Sequence, residues 1–337
     1  MKKTINNIYL ILINSLFATF SIVAVDTQTG EVGSAGGSCI ANSIIISDIH
    51  PSIGAIHTQS YWNQGNQEYA SSLMEEGFSP DEIMILLEQN DVQNNPSIRQ
   101  YGAVDLFNGT NYGQLLEQEC SDIGGSQWFG ELGSGELAEC TDSTISRSAS
   151  FTGDNCSDWK GHVNGINYAI QGNILLDESI LTDMEEAFVN TNGSLDQKLI
   201  RALQGAKVPG ADTRCLDEGI STLSAFIRVA KPDDTDSYYM DLNINSVTPY
   251  YAQTGIWIDP IDTLNTLYEN WYNTNFPYDN GDINQDFIIN ILDIVLLVGF
   301  ILGDEILGIQ YYLSDLNSDS TINIQDVILL INMILSQ

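Results

Sequence analysis

Thr19-Phe20-Ser21-Ile22-Val23-Ala24-Val25, followed by Asp26-Thr27-Gln28-Thr29-Gly30-Glu31, is the stretch on which the reading of the fold turns. The first seven residues are rich in β-branched and apolar side chains. The next six are turn formers, so the pair reads as a strand entering a hairpin. Val32 to Ala41, rich in small residues, is the expected return strand. Downstream, Gly54-Ala55-Ile56-His57-Thr58-Gln59-Ser60 reads as another strand, covered on both faces.

Helices come next. Ser79-Pro80-Asp81-Glu82 is a capping box with Pro at the first helical position, and Ile83 to Leu87 supplies the apolar face. Ile98 to Leu106 returns to strand character, and residues 115–148 are Gly-, Ser- and Glu-rich with weak periodicity, as in a surface insertion. Asn167 to Leu175 resumes regular structure, and Asp177 is placed to cap a helix through Met184 and Phe188. Ser194-Leu195-Asp196-Gln197 is a second capping box, opening a helix that Gly205 stops. Thr222 to Val229 and Tyr238 to Ile244 are strands, and Ile261 to Trp271 a last helix. Strands first and last with helices between indicate a layered α+β domain over residues 19–272. Residues 273–281, with Pro277 and Gly281, read as a linker.

Ahead of the first strand, Lys2 and Lys3 precede an apolar run from Ile8 to Phe17, and Ala18 offers a small residue at the change of pattern. That is the layout of a secretory signal peptide over residues 1–18, cut after Ala18. It implies a secreted protein, free or attached to a cell surface. Eleven Lys+Arg stand against 45 Asp+Glu, a formal net charge of -34. Such a surface repels phosphate backbones and anionic lipid, which excludes nucleic acid and membrane surfaces as partners and favours divalent cations or simple solubility. Five cysteines in an exported chain allow two disulfides. Cys120 with Cys140 is the first expected pair, across the insertion, and Cys156 with Cys215 the second. No CxxC spacing points to zinc.

Beyond the linker, two twelve-residue stretches repeat. Asp282-Ile-Asn284-Gln-Asp286-Phe-Ile288-Ile-Asn290-Ile-Leu-Asp293 is matched by Asp315-Leu-Asn317-Ser-Asp319-Ser-Thr321-Ile-Asn323-Ile-Gln-Asp326. Oxygen-bearing side chains at loop positions 1, 3, 5, 9 and 12 suit a hard cation of six to eight ligands, Ca2+ above all, with Ile288 and Thr321 adding backbone carbonyls. A helix is expected after each loop, over Ile294 to Leu302 and Val327 to Leu335. Asp at position 12 and Asn at position 9 make residues 282–337 similar to a type I dockerin, a small all-α module with two EF-hand-like calcium loops. The resemblance implies a cohesin-like domain, or another surface scaffold protein, as partner. Position 6, usually Gly, is Phe287 in one loop and Ser320 in the other, a departure that singles out the second loop as the better site. Positions 10 and 11, which help select a dockerin's partner, are Ile291-Leu292 and Ile324-Gln325, so the two halves present unequal faces.

Thr19 to Val25, Gly54 to Gln59, Tyr168 to Leu175 and Gly210-Ala-Asp212-Thr-Arg214-Cys215 together resemble the proteins grouped as domain of unknown function 1028. That family is classed with the N-terminal-nucleophile (Ntn) hydrolases. The resemblance implies a four-layer αββα sandwich; it brings no substrate. The chemistry has its own argument. A Thr hydroxyl is a poor nucleophile without a base, and an N-terminal Thr carries one in its α-amine, with a pKa of about 7.7–8.0. A cut after Ala18 would place Thr19 at that terminus. His57 with Gln59, and separately Gln171 with Asn173, share strand faces, and the Asn173 amide is a candidate oxyanion donor. Asp212 and Arg214 are a candidate ion pair. Each of these residues also reads as a satisfied structural hydrogen-bonding group. The sequence thus expects an amidohydrolase with Thr19 as nucleophile and Asn173, His57, Gln59, Asp212 and Arg214 around it. The competing reading is a non-catalytic binding or scaffold domain. No Ser-His-Asp motif, P-loop or dinucleotide fingerprint is present, and a polysaccharide-degrading role finds no recognisable carboxylate pair.

Overall fold

Strand β1 (Thr19–Val25) is buried along its whole length, because its two faces look into two different cores. Phe20, Ile22 and Ala24 point to one and Val23 and Val25 to the other, as strand alternation requires. The computed structural model describes residues 19–107, 128–131, 137–139, 145–246, 257–276, 278–286, 288–304, 306 and 309–336. The remaining elements in chain order are β2 (Val32–Ser38), β3 (Ser47–His50), β4 (Gly54–Ser60), α1 (Gln64–Glu75), α2 (Pro80–Gln89), β5 (Arg99–Phe107), β6 (Trp128–Glu131), β7 (Leu137–Glu139) and β8 (Ile145–Thr152). They continue with β9 (Gly161–Gly165), β10 (Tyr168–Asn173), α3 (Ser179–Asn190), α4 (Leu195–Gly205), β11 (Ser224–Ala230), β12 (Met240–Ile244) and α5 (Pro260–Asn275). The last three are α6 (Ile291–Leu302), α7 (Ile309–Ser314) and α8 (Ile324–Leu335).

A six-stranded sheet runs β12-β11-β2-β1-β10-β9 and a four-stranded sheet β3-β4-β5-β8, with antiparallel pairing throughout. The fold is therefore mixed α+β, as the element pattern implied. Val23, Val32, Ala55, Val104 and Ala169 fill the space between the two sheets. Helices α3, α4 and α5 cover the outer face of the larger sheet, and α1 and α2 that of the smaller. Gly33 explains why β2 is made of small residues: a Cβ there would lie 2.5 Å from a Leu199 methyl of α4.

Both expected capping boxes form, at Ser79/Glu82 and Ser194/Gln197. Helix α1 lacks a strong apolar stripe and was not among the expected elements. Asn63 caps it by accepting from the N–H groups of Gly65 and Asn66, and it is held by burying Ala70, Leu73 and Met74. Helix α5 continues to Asn275, so the first three residues of the expected linker are helical.

The cysteine pairing differs from expectation. Cys215 bonds to Cys39, not to Cys156, with a Cα–Cα distance of 5.7 Å. Cys156 is a buried free thiol whose Sγ lies 3.2 Å from the Arg99 carbonyl oxygen. The expected Cys120–Cys140 pair, most of the 115–148 insertion and the 1–18 leader lie outside the described residues. Helices α6, α7 and α8 share a small core of Ile283, Leu297, Leu313, Val327 and Leu330. Tyr312 of α7 stacks on Tyr272 of α5 at 4.3 Å. Among the described residues no helix is long and apolar enough to cross a membrane.

Candidate functional site

Thr19 opens β1 between two neighbours. Its Cα partner on β10 is Asn173, and the β1–β2 register, Phe20 opposite Gly37, sets it beside Ser38. Odd-numbered β1 residues face the inter-sheet space, so Thr19 and Ser21 look toward the four-stranded sheet. Thr19 is 1% exposed, and among the described residues its Oγ1 has no hydrogen-bond partner. Buried hydroxyls are rarely left so.

Around it runs a chain of buried amides and hydroxyls. Gln59 Nε2 donates to Gln100 Oε1 at 2.7 Å and to the Thr19 carbonyl at 3.3 Å. Asn173 Nδ2 donates to the same Gln100 oxygen at 3.0 Å. Ser21 Oγ donates to Gln59 Oε1 at 2.7 Å and accepts from Gln171 Nε2 at 2.6 Å. Gln171 Nε2 stands 3.1 Å from His57 Nδ1, and His57 Nε2 stands 2.6 Å from Ser34 Oγ. Gly102 of β5 makes room for this crossing, because a Cβ there would meet Gln171 Oε1 at 1.8 Å. Burial, with the Arg228 charge second, pushes the His57 pKa down to about 3. The ring is neutral at physiological pH, which fits it as a link between Ser34 and Gln171 rather than as a proton carrier.

Asp212 and Arg214 sit on the flank of Thr19. The Asp212 carboxylate is fully buried and accepts from the Cys39 N–H at 2.6 Å, from Arg214 Nε at 3.0 Å and from Arg214 Nη2 at 2.8 Å. Arg214 Nη2 also reaches Ser38 Oγ at 3.4 Å. The Cys39–Cys215 bond closes this corner, and Thr213 N donates to the Ile174 carbonyl at 3.1 Å, tying the corner to the residue after Asn173. Ile174 has φ 55, a left-handed conformation costly for a β-branched residue and concentrated at sites whose surroundings over-determine them. The structure thus brings Thr19, Gln59, Asn173, Gln171 and His57 into one network and places Asp212 and Arg214 beside it. Sequence reasoning missed Ser21, Ser34, Ser38 and Gln100. Alternation along β1 points to Ser21, but Gln100 has no local signal.

The two C-terminal loops have one hydrogen-bond pattern. Asp293 Oδ1 accepts from the N–H groups of Ile283 (2.8 Å) and Asn284 (3.0 Å), and its Oδ2 from Asn290 (2.8 Å). Asp326 does the same for Leu316 (2.9 Å), Asn317 (3.4 Å) and Asn323 (2.9 Å). Asp282 and Asp315 each accept from the N–H four residues on, both at 3.1 Å. Asn290 Nδ2 donates to the Ile288 carbonyl at 2.9 Å and Asn323 Nδ2 to that of Thr321 at 3.0 Å. Position 4 takes positive φ in both loops (Gln285 60, Ser318 56), and Ser320 at position 6 does so at 64, without the usual Gly; Phe287 lies outside the described residues. Burial raises the Asp315 pKa above its usual range, N–H groups of Ser320 and Asp319 oppose this, and the Asp326 and Asp319 charges add to it. Among the described residues no three His, Cys, Asp or Glu side chains stand as a ready metal cluster. Each loop nevertheless holds three carboxylates, two Asn amides and a position-7 carbonyl and no soft donor. That set fits a hard cation once the Asn amides turn their oxygens inward.

The family model for a family of unknown function (DUF1028) matches residues 19–123 and 142–250. That for the dockerin type I domain matches residues 280–335. Among solved structures, the crystal structure of a DUF1028 protein from Silicibacter pomeroyi covers 76% of this chain and 89% of its own, at 23% identity and a TM-score of 0.52. At that identity the likeness concerns the fold alone. No curated protein matches the chain.

Proposed function

The chain belongs to the DUF1028 family of unknown function and ends in a dockerin type I domain, and from that premise we propose a secreted Ntn-hydrolase-like amidohydrolase, with Thr19 as nucleophile, tethered to a scaffold through calcium. The order helices, sheet, sheet, helices supports the αββα layering of that class. One observation carries the reading: Thr19 Oγ1, at the start of the first strand, is buried, unpartnered among the described residues, and opposite the Asn173 amide.

Within the full chain the Thr19 nitrogen is a peptide nitrogen and no base. Cleavage after Ala18 creates the amine that takes the hydroxyl proton as Oγ1 attacks an amide carbonyl. Asn173 Nδ2 uses one hydrogen on Gln100 and has a second to give the oxyanion. Collapse of the tetrahedral adduct releases the amine, protonated by the Thr19 ammonium, and leaves an ester on Oγ1 that water then hydrolyses. Gln59, Gln100 and Gln171 hold the strand ends in place, and Asp212 with Arg214 holds the flank.

Intact-mass measurement of the secreted protein is expected to give Thr19 as first residue, with one equivalent of a β-lactone probe adding to it. Thr19→Ser keeps the adduct, and Thr19→Ala lowers its rate at least about 100-fold. A terminus elsewhere with no adduct ends this reading. The neutral His57, which takes no part in proton transfer, favours the rival, a non-catalytic binding domain. The same experiment then leaves an intact scaffold with no adduct.

For the tail we propose Ca2+ in both loops, held by Asp282, Asn284, Asp286, Ile288, Asn290 and Asp293 in one and by Asp315, Asn317, Asp319, Thr321, Asn323 and Asp326 in the other. A cohesin-like domain fits the exposed apolar side chains of Ile291, Leu292, Val295, Ile324 and Ile328, each more than half exposed. Calorimetric titration is expected to show two calcium sites and Asp326→Ala to lose one. Saturation at about 100 times the dissociation constant adds about 2.7 kcal/mol to the module's stability. Absence of calcium-linked heat defeats the assignment.

A further inference from the structure

The dockerin module meets the DUF1028 domain on the side of its second calcium-type loop. Helix α7, which leads into that loop, carries two adjacent tyrosines. Tyr312 stacks on Tyr272 of α5 with ring centroids 4.3 Å apart and packs against the core between the larger sheet and its helices. Tyr311 is 7% exposed and lines a cleft of about 420 Å3 together with Asn192, Ser194 and Lys198 of the α3–α4 corner. Ser320, inside the loop, faces the groove between α3 and α4 that Thr191, Arg201 and Gln204 line. The turn into the first loop faces its own module: a Cβ at Gly281 would lie 2.9 Å from a Leu330 methyl of α8.

Tyr311 joins the interdomain contact to the loop. Its hydroxyl donates to the Ser320 carbonyl at 2.7 Å, and the Asn192 side chain hydrogen-bonds to the same hydroxyl. Ser320 stands at loop position 6 with φ 64, a left-handed conformation that costs free energy for a residue with a Cβ. Its N–H donates to Asp315 Oδ2 at 2.8 Å, and the next residue, Thr321, offers the position-7 carbonyl. Asp315, at position 1, follows α7 directly, and its N–H donates to the Tyr311 carbonyl at 3.1 Å. The strained position is therefore held from two sides, by Asp315 within the loop and by Tyr311 from the interdomain contact.

We infer that calcium binding in the second loop and docking of the module on the DUF1028 domain are coupled. The docked domain, acting through Tyr311, presets the loop for the ion, and the bound ion fastens the module to the domain. This rests on the calcium reading of the two loops. Binding an ion orders a loop, and a contact that already fixes the Ser320 peptide removes part of that ordering cost. Linkage is reciprocal, so the factor that docking adds to calcium affinity is the factor that calcium adds to docking.

The test is calcium calorimetry on the full chain, one loop at a time. Asp286→Ala removes an exposed ligand of the first loop and leaves the second to be titrated, and Asp319→Ala does the converse. In the Asp286→Ala background, Tyr312→Ala, which breaks the contact with Tyr272 and supplies no ligand, should weaken calcium binding at least about fivefold. In the Asp319→Ala background the same change should alter it less than about twofold. Asn192→Ala, in an exposed turn of the DUF1028 domain, should weaken the second site alone by at least about twofold. It keeps the test open if Tyr312→Ala disturbs the fold of the module. Calcium should in turn slow amide hydrogen exchange over residues 190–194 in the wild-type and Asp286→Ala chains and leave it unchanged in Asp319→Ala. Equal affinity of the second site with and without Tyr312 and Asn192, or equal weakening of both sites, overturns the coupling and leaves the calcium assignment standing. Absence of calcium-linked heat in both backgrounds overturns the calcium assignment and the coupling with it.

Discussion

Arg99→Ala is expected to destabilise the DUF1028 domain by about 3–5 kcal/mol, the cost of leaving a buried charge without its partner. Arg99 is 2% exposed and Asp91 4%. Arg99 Nε donates to Asp91 Oδ2 at 2.8 Å and Nη2 to Gln93 Oε1 at 2.7 Å, while Nη1 reaches the Tyr61 carbonyl. Asp91 Oδ1 in turn accepts from the N–H groups of Gln93 (3.0 Å) and Asn95 (2.9 Å), closing the turn before β5. Burial alone would raise the Asp91 pKa. The hydrogen bonds from Arg99, Asn95 and Asn66, with the Arg99 charge, outweigh it and hold the pKa below the usual carboxylate range. A carboxyl lowered on folding contributes stability that is present above its unfolded pKa of about 3.9 and lost as pH falls through the folded value. Without Arg99 the burial dominates, and protonating Asp91 relieves the strain. The gap between wild type and variant, read from urea unfolding curves, should therefore start to narrow above about pH 4, as the variant's Asp91 takes up its proton, and go on narrowing below it as the wild type loses its ionised Asp91. A gap of less than about 1 kcal/mol at neutral pH would show the pair to be dispensable. Asp91→Asn in the Arg99→Ala background should recover part of the loss.

Replacing Cys39 and Cys215 together by Ala is expected to cost up to about 5 kcal/mol, from the chain entropy that a bond across 176 residues removes from the unfolded state. The local effect matters as much. Asp212 accepts the Cys39 N–H, Arg214 reaches Ser38, and Ser38 lies beside Thr19, so the bond clamps the corner where the proposed nucleophile starts. The variant should lose stability in denaturant unfolding and, in the mature protein, β-lactone reactivity at Thr19 as well. Unchanged stability would mean that the hydrogen bonds around Asp212 hold the corner unaided. Cys156→Ala, which removes a buried thiol outside the disulfide, separates a cysteine effect from a crosslink effect.

Much of the molecule was legible from local sequence for a definite reason. Capping boxes at Ser79 and Ser194 act within four residues, and both form. The calcium-type loops also act locally: Asp282 to Asp293 and Asp315 to Asp326 bond to their own backbones, so two copies fold alike. Strands β1 and β4 are buried at every residue because covering layers lie on each side of them. Helix α1 escaped detection because its face is mostly polar and its stability comes from the sheet under it.

What the sequence by itself determined is the set of local elements, the strand faces that carry Thr19, His57, Gln59, Gln171 and Asn173, and the family to which their motifs belong. Tertiary structure alone decided which distant groups meet. Cys215 pairs with Cys39 rather than Cys156, and Gln100 receives both Gln59 and Asn173. Hydrogen bonds and disulfides between segments tens to hundreds of residues apart depend on how two sheets are laid face to face. Strand period, propensity and caps act over a few residues and leave no record of that choice.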